Sequence, residues 1–199
     1  MYSAGKGAAG HSAGFVLAGG GSKRMGKDKA LLPFGGNVLI AHVALSVLAA
    51  AGSVSLVGPP DAYSHLQFPV VSDLYPGFGP VGGVVTALSS PSAAEWNLIV
   101  ACDMPGISGE FLASLLAEAI DSGAECTVPH TPNGRLHAVC AVYRRSARLP
   151  LLRAVEAGTH KLQDAIEVLN VHRFPVSALE LLVNVNTPAQ WRTFRNAAH

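Results

Sequence analysis

The run "WNLIVACD" at residues 96–103 constrains the fold more than any other stretch of the chain. It is apolar nearly throughout, so as a strand it must be covered on both faces. That cover has to come from helices, and the chain supplies them in alternation. "FVLAGG" (residues 15–20) reads as a buried strand entering a glycine loop. "NVLIAHVALSVLAAAG" (37–52) reads as a helix that Asn37 can cap and Gly52 can end. "VSLVG" (54–58) and "PVVSD" (69–73) are further strands. "YPGFGPVGGVVTAL" (75–88) begins as a Pro/Gly loop and is expected to become helical from about Val81. "SGEFLASLLAEAIDSG" is a helix with Ser108 at its N-cap.

The second half is read in the same way. "ECTVPH" and "HAVCAVY" are strands around the polar loop "TPNGR" (131–135), and helical stretches follow over 146–156 and 161–168. Strands "VHRFPV" and "LLVNVN" precede a terminal helix from Pro188. Alternation of this kind predicts an α/β fold, a three-layer α/β/α sandwich around a mostly parallel, Rossmann-like sheet. With 199 residues, of which 49% are hydrophobic, one domain with a sizeable core is expected. "MYSAGKGAAGHSAG" (1–14) lacks an apolar signal core and reads as a flexible tail, which leaves 15–199 as the folded domain. The net charge of +1 and the lack of a basic run argue against nucleic acid as a partner, and no run is long enough to span a membrane. A cytoplasmic location is the default. Cys126 and Cys140 lie in apolar runs and read as buried thiols, and Cys102 reads as a packing residue beside Asp103.

In open α/β sheets ligands bind beyond the carboxyl ends of the strands. The proposed strands end at Gly19-Gly20, Gly58, Asp73 and Asp103. The first end leads into "GGGSKRMGKDK" (19–29), which contains G-x-x-x-x-G-K, the opening of a Walker A phosphate loop. Two features oppose that reading. A Walker loop feeds a long helix, whereas Pro33 and Gly35-Gly36 stop any helix here within about two turns. Asp28 would also place a carboxylate where the motif needs a hydroxyl. The dinucleotide fingerprint G-x-G-x-x-G fails as well, because Arg24 or Lys23 falls on a required glycine. What remains is a strand, a glycine turn and the cations Lys23, Arg24, Lys27 and Lys29. Such a loop suits a polyphosphate, since free backbone N–H groups can approach it and the cations neutralise it. A solvated Gly/Lys loop is the plain alternative.

Taken in order, "LAGGGSKRMGKDKALLPFGG", "SDLYPGFGPVGGVVTAL", "ACDMP" and "NVNTP" resemble the molybdenum cofactor guanylyltransferases. These form the MobA-like group of nucleotidyltransferases related to the nucleotide-diphospho-sugar transferases. The resemblance covers nearly the whole chain from Phe15. It implies transfer of GMP from GTP to molybdopterin, or to molybdopterin already carrying molybdate, with Mg²⁺ and release of pyrophosphate. The N-terminal half would bind nucleotide and the C-terminal half molybdopterin. It also implies contacts to other molybdenum cofactor biosynthesis proteins and apo-molybdoenzymes.

Carried over by position, the backbone of Leu17, Ala18 and Gly19 would line guanine and ribose. Lys23, Arg24 and Lys29 would contact the triphosphate, with Lys29 balancing charge on the leaving pyrophosphate. Asp73 would close on the guanosine, and Asp103 would bind Mg²⁺. Gly20, Gly58 and Gly82 join the set of nucleotide contacts. Asn184 and Asn186 would lie near the metal and the second substrate, and Arg135 and His137 would meet the pterin. His130, His160 and Lys161 are further candidates there.

On residue types alone several plain readings stay open. Asp103 could cap a helix, although Pro105 and Ser108 make that less necessary. Asp73 could serve a turn. Asn184 and Asn186 could be strand-end hydrogen bonders, and His137 could be a core histidine. Gly106, where the family commonly has a large residue, is expected to loosen the metal loop. Cytidylyltransferases of molybdopterin are the close rival, and they tend to read "LAAG" where this chain has "LAGG". Longer sugar-phosphate nucleotidyltransferases and a non-catalytic nucleotide binder are the remaining alternatives.

The two loop readings separate at the lysines. Lys29→Ala should lower kcat by about 10²-fold or more, the scale of losing one charge-stabilising group. Lys27→Ala should cost clearly less. Steady-state rates with the order reversed would restore the P-loop reading.

Overall fold

The computed structural model describes residues 11–18 and 28–197. Residues 1–10, 19–27 and 198–199 lie outside the described residues, and with them Gly19, Gly20, Lys23, Arg24 and Lys27.

Strand β1 spans Ser12–Leu17, so it begins earlier than the expected Phe15. Small residues make the early start possible. A Cβ on Gly14 would lie 2.3 Å from Val47 Cγ1 and 2.5 Å from Ser53 O, so only glycine lets helix α1 (Leu39–Ala51) pack this close. Between them, Lys29–Leu31 forms a single 3₁₀ turn. It runs into the hairpin β2 (Pro33–Phe34) and β3 (Asn37–Val38). Gly35 and Gly36 take φ of +55° and +79°, which a two-residue hairpin turn of this hand requires. The helix that a Walker loop would need is therefore replaced by a hairpin. Asn37 pairs with Phe34 in that hairpin and does not cap α1, which starts at Leu39. Gly52 ends α1 at φ +77°, as expected.

The chain continues through β4 (Ser55–Val57), the short α2 (Pro60–Tyr63), β5 (Val70–Val71) and α3 (Gly79–Ser89). Next come β6 (Trp96–Ala101) and α4 (Gly109–Ser122). Ser108 caps α4 as expected, its Oγ accepting from Phe111 N at 3.2 Å. Then follow β7 (Cys126–His130), β8 (Cys140–Arg144), α5 (Arg148–Glu156), α6 (Leu162–Ala165), β9 (Val171–Pro175) and α7 (Pro188–Ala197).

The main sheet has seven strands in the order β5-β4-β1-β6-β8-β7-β9. β1 is parallel to β4 and β6, β4 to β5, and β7 to β9, whereas β8 runs antiparallel to β6 and β7. The expected α/β/α sandwich with a mostly parallel sheet is what forms. Side chains alternate between two cores. Val16, Leu98, Val100 and Val142 face α1 and α4, while Phe15, Ile99, Ala141 and Tyr143 face α3 and α5. The order reverses at β1, whose neighbours β4 and β6 follow it in the chain on opposite sides. That switch point opens a crevice at the carboxyl ends of β1, β4 and β6.

Two expected strand positions differ. "HAVCAVY" becomes a strand only from Cys140, and His137 sits in the turn before it, its N–H donating to Pro129 O at 2.9 Å. "LLVNVN" does not join the sheet: Leu179–Leu182 is a 3₁₀ turn and residues 183–186 form no regular element. β6 already has β1 on one edge and β8 on the other, so this segment can reach only its end. It does so through one backbone bond, Val185 N to Asp103 O at 2.8 Å. Helix α7 then packs back on the hairpin, with the Trp191 and Phe34 ring centroids 5.7 Å apart.

Gly14→Ala should destabilise the protein by about 1–3 kcal/mol through overpacking between β1 and α1. A lowered urea midpoint with unchanged slope would show it, and an unchanged midpoint would refute the close approach.

Candidate active site

The central strand β6 stops at Ala101, short of the expected end, and Asp103 follows it in a turn, 8% exposed. A carboxylate this buried needs charge and hydrogen-bond partners. It has both. Lys29 Nζ lies 2.7 Å from Oδ2, and Asn184 Nδ2 donates to Oδ1 at 2.9 Å. Lys29 Nζ also donates to Asn186 Oδ1 at 3.0 Å. Residues far apart in sequence thus converge on one carboxylate, and the strand-end and loop candidates Lys29, Asp103, Asn184 and Asn186 form one network.

The turn that carries Lys29 is fixed by its neighbour. Asp28 Oδ1 accepts from Ala30 N at 3.0 Å and caps the 3₁₀ turn, while Oδ2 accepts from the Tyr63 hydroxyl at 2.7 Å. Tyr63 is 2% exposed, and burial together with the Asp28 carboxylate pushes its hydroxyl far above the ordinary tyrosine range. It stays a protonated donor. Asp28 is therefore an anchor for the Lys29 turn.

A cleft of about 260 Å³ opens beside this network. Leu17, Ala18, Asp73 and Asp103 line it as expected, together with Gly79, Pro80, Gly83 and Val139. Asp73 does double service: its Oδ1 accepts from Tyr75 N and Thr86 Oγ1, each at 3.0 Å, so it shapes the loop into α3 while facing the cleft. Gly82 is elsewhere. A Cβ there would lie 2.7 Å from Tyr75 O, so Gly82 seats that loop, and it is Gly83, against Leu17, that lines the cleft. The helix starts at Gly79, earlier than the expected Val81, which moves the lining glycine to the next position. Gly58 likewise meets Ala18 O, with a Cβ at 2.2 Å, and acts through this close backbone approach.

Two further clefts adjoin the first. One, of about 310 Å³, is lined by Arg135, His137, His160, Lys161 and Gln163, and shares Pro80, Val139 and Asn184 with the first. The other, of about 510 Å³, lies between the 131–135 loop and the 179–190 segment, and includes Arg135, His137, Asn184, Asn186 and Gln190. Asn184 borders all three. His137 is 7% exposed, and its Nε2 is buried without a hydrogen-bond partner. Burial lowers its pKa, and the Arg135 guanidinium lowers it further, so the ring is neutral at pH 7. His160 stacks on Phe78 with centroids 4.9 Å apart. His130 turns to its own loop, Nδ1 lying 3.3 Å from Thr131 O, and lines none of these clefts.

Gly106 corrects one expectation. A Cβ on it would lie 2.5 Å from Glu180 O, so the missing side chain brings the loop after Asp103 against the 179–182 turn. It tightens the site. Cys102 lines the first cleft at 4% exposure, and burial, with the Asp103 carboxylate adding, pushes its thiol up to about 12. That fits packing, not nucleophilic attack.

A lysine-paired carboxylate thus stands in a cleft at the switch point of the sheet, the place where open α/β sheets bind ligands. The model of the MobA-like NTP transferase domain matches residues 14–174. The chain belongs to the MobA-like NTP transferase family. Among curated relatives it is 32% identical to the probable molybdenum cofactor guanylyltransferase of Carboxydothermus hydrogenoformans, over 88% of this chain and 91% of that one. It is 34% identical to the protein of the same description from Mycobacterium marinum, over 89% and 90%. Among solved structures, molybdopterin-guanine dinucleotide biosynthesis protein A from Archaeoglobus fulgidus superposes with a TM-score of 0.80 at 25% identity, covering 94% of this chain and 98% of that one. Within the MobA-like fold the Lys29 turn, fixed by Asp28 and Tyr63, is one wall of the switch-point cleft.

Tyr63→Phe should cost about 1–3 kcal/mol of stability, the range for stripping a buried acceptor of its partner. Because Asp28 positions the Lys29 turn, kcat should fall in the same variant. A kcat equal to wild type at a temperature well below unfolding would show that the anchor does not reach the site.

Proposed function

We propose that the chain transfers GMP from GTP to the terminal phosphate of molybdopterin, or of molybdopterin carrying molybdate, and releases pyrophosphate. The observation that carries this reading is the position of the Lys29–Asp103–Asn184 network. It lies where the switch-point cleft meets the clefts lined by Arg135 and His137. Two substrates bound on either side of Asn184 would meet there.

The nucleotide belongs in the first cleft. Leu17, Ala18 and Gly83 offer backbone and apolar surface to a base and ribose, and Asp73 faces them. Lys29, with Lys23 and Arg24 of the glycine loop, neutralises the triphosphate. The glycine at position 19, where cytidylyltransferase relatives tend to have alanine, favours GTP. The molybdopterin belongs in the second group of clefts. Arg135 and Lys161 suit an anionic phosphate, and His137 lines both clefts beside Arg135.

The chemistry forms one bond between a molybdopterin phosphate oxygen and the α-phosphorus. It breaks the bond from the α-phosphorus to the bridging oxygen of the leaving pyrophosphate. The attacking phosphate is already anionic, so no general base is required. The obstacle is repulsion between anions, which positioned cations overcome. Asp103, with the Asn184 and Asn186 carboxamides beside it, is a hard-oxygen donor set that suits Mg²⁺, which favours one or two carboxylates and phosphate oxygens. When bound, Mg²⁺ would withdraw charge from the phosphates. Lys29 would hold the charge that builds on pyrophosphate. Among the described residues no helix is long and apolar enough to cross a membrane.

The test is pyrophosphate release from protein incubated with Mg²⁺, molybdopterin and either GTP, CTP or ATP. Release with GTP is expected. Release with CTP alone would overturn the base assignment, and release with none would overturn the activity. Asp103→Asn should lower turnover by about 10²-fold or more.

A further inference from the structure

We infer that the Lys29 ammonium holds the position of the divalent cation at Asp103, so that the protein takes up the metal only together with a polyphosphate. The inference rests on the reading of Asp103 as the metal carboxylate. Lys29 Nζ is 2.7 Å from Asp103 Oδ2, a full charge-assisted contact, and only 18% of its side chain is exposed. The other carboxylate oxygen accepts from Asn184 Nδ2 at 2.9 Å. Asn186 Oδ1, a further oxygen donor of the cluster, is itself turned to Lys29 at 3.0 Å. The ammonium therefore engages two of the oxygens that a metal would use.

Among the described residues there is no group of three or more His, Cys, Asp or Glu side chains able to hold a metal. Residues 19–27 contain none of these types. A divalent ion bound at Asp103 with Lys29 in place would put like charges on one carboxylate. A polyphosphate resolves the conflict twice over. It gives Lys29 an anionic partner away from Asp103, and it brings the oxygens that Asp103 alone cannot supply. Lys29 thus has two successive roles, as the counter-ion that holds the Asp103 carboxylate in place, and as a phosphate ligand once nucleotide enters. The Asn186 carboxamide, on a segment anchored by the Val185–Asp103 backbone bond, sets where the ammonium rests.

The experiment measures Mn²⁺ binding by electron paramagnetic resonance, with no nucleotide and no pterin present. Wild type and Lys29→Arg should bind weakly, and Lys29→Met should bind about tenfold more tightly or better, a difference of about 1.4 kcal/mol. That gain should vanish in Lys29→Met combined with Asp103→Asn. Inorganic triphosphate added to wild type should strengthen Mn²⁺ binding at the protein beyond what the free Mn²⁺–triphosphate complex accounts for. A Lys29→Met protein that binds no more tightly than wild type, or a gain that survives Asp103→Asn, would overturn the inference. Should Lys29→Met melt below the assay temperature, the wild-type comparison decides: tight Mn²⁺ binding that triphosphate does not change refutes it. Since neither GTP nor molybdopterin is used, failure here leaves the guanylyl transfer reading standing, and failure of transfer leaves this result intact.

Discussion

The partly buried Asp103 carboxylate is the constraint on which the rest of the site depends. A strand that is apolar on both faces cannot end in a charge unless the neighbouring structure supplies compensation. Here the compensation comes from both ends of the chain: Lys29 from the turn after β1, and Asn184 and Asn186 from the segment before α7. Each of these elements has its own reason to be where it is. Asp28 and Tyr63 fix the first. The Val185–Asp103 backbone bond and the Gly106–Glu180 approach fix the second. The polar network and the backbone packing therefore specify one geometry, and loss of either would release the other.

The sheet order explains why this place, and no other strand end, becomes the site. β1 and β6 are parallel neighbours in register from Ser12↔Trp96 to Leu17↔Ala101, so their carboxyl ends lie side by side. The chain leaves β1 for β4 on one side and reaches β6 on the other, which parts the loops above them. β8, antiparallel on the far edge of β6, brings up the turn before it, with His137 and Val139 on the rim. One antiparallel strand in a mostly parallel sheet thus adds a second wall to the crevice. That wall is why two further clefts adjoin the first instead of lying on the opposite end of the sheet.

Much of this was legible in the sequence where a single local signal sufficed. The apolar run before Asp103, and Pro33 with Gly35-Gly36 as helix breakers, are local signals, and each kept its meaning in the fold. Legibility failed where the outcome depended on partners remote in sequence. "LLVNVN" alternates like a strand, but whether it pairs depends on a free sheet edge, and β6 had none. The shift of the lining glycine from Gly82 to Gly83 depends on where α3 starts, and a Pro/Gly loop blurs that boundary. Gly106 could not be read as a close-packing glycine without knowing that the Glu180 carbonyl lies over it. Tyr63 gave no signal of its own, since a tyrosine in a short polar helix becomes informative only once Asp28 is seen to face it.

The resemblance of "GGGSKRMGKDK" to a Walker loop can now be settled in physical terms. A Walker lysine and hydroxyl stand next to each other because one helix N-terminus holds phosphate, lysine and metal together. In this chain the turn after the loop is a single 3₁₀ turn followed by a hairpin, so no helix dipole is available there. Lysine and carboxylate stand on separate elements instead. The loop and Lys29 carry positive charge, and the Asp103 carboxylate comes from the turn after β6 across the crevice. Asp28, at the position where Walker loops place the hydroxyl, faces away toward Tyr63 and is spent on holding the turn. This arrangement has a consequence that a Walker loop does not share. The cation and the carboxylate start on separate elements, and they pair with each other across the crevice at 2.7 Å.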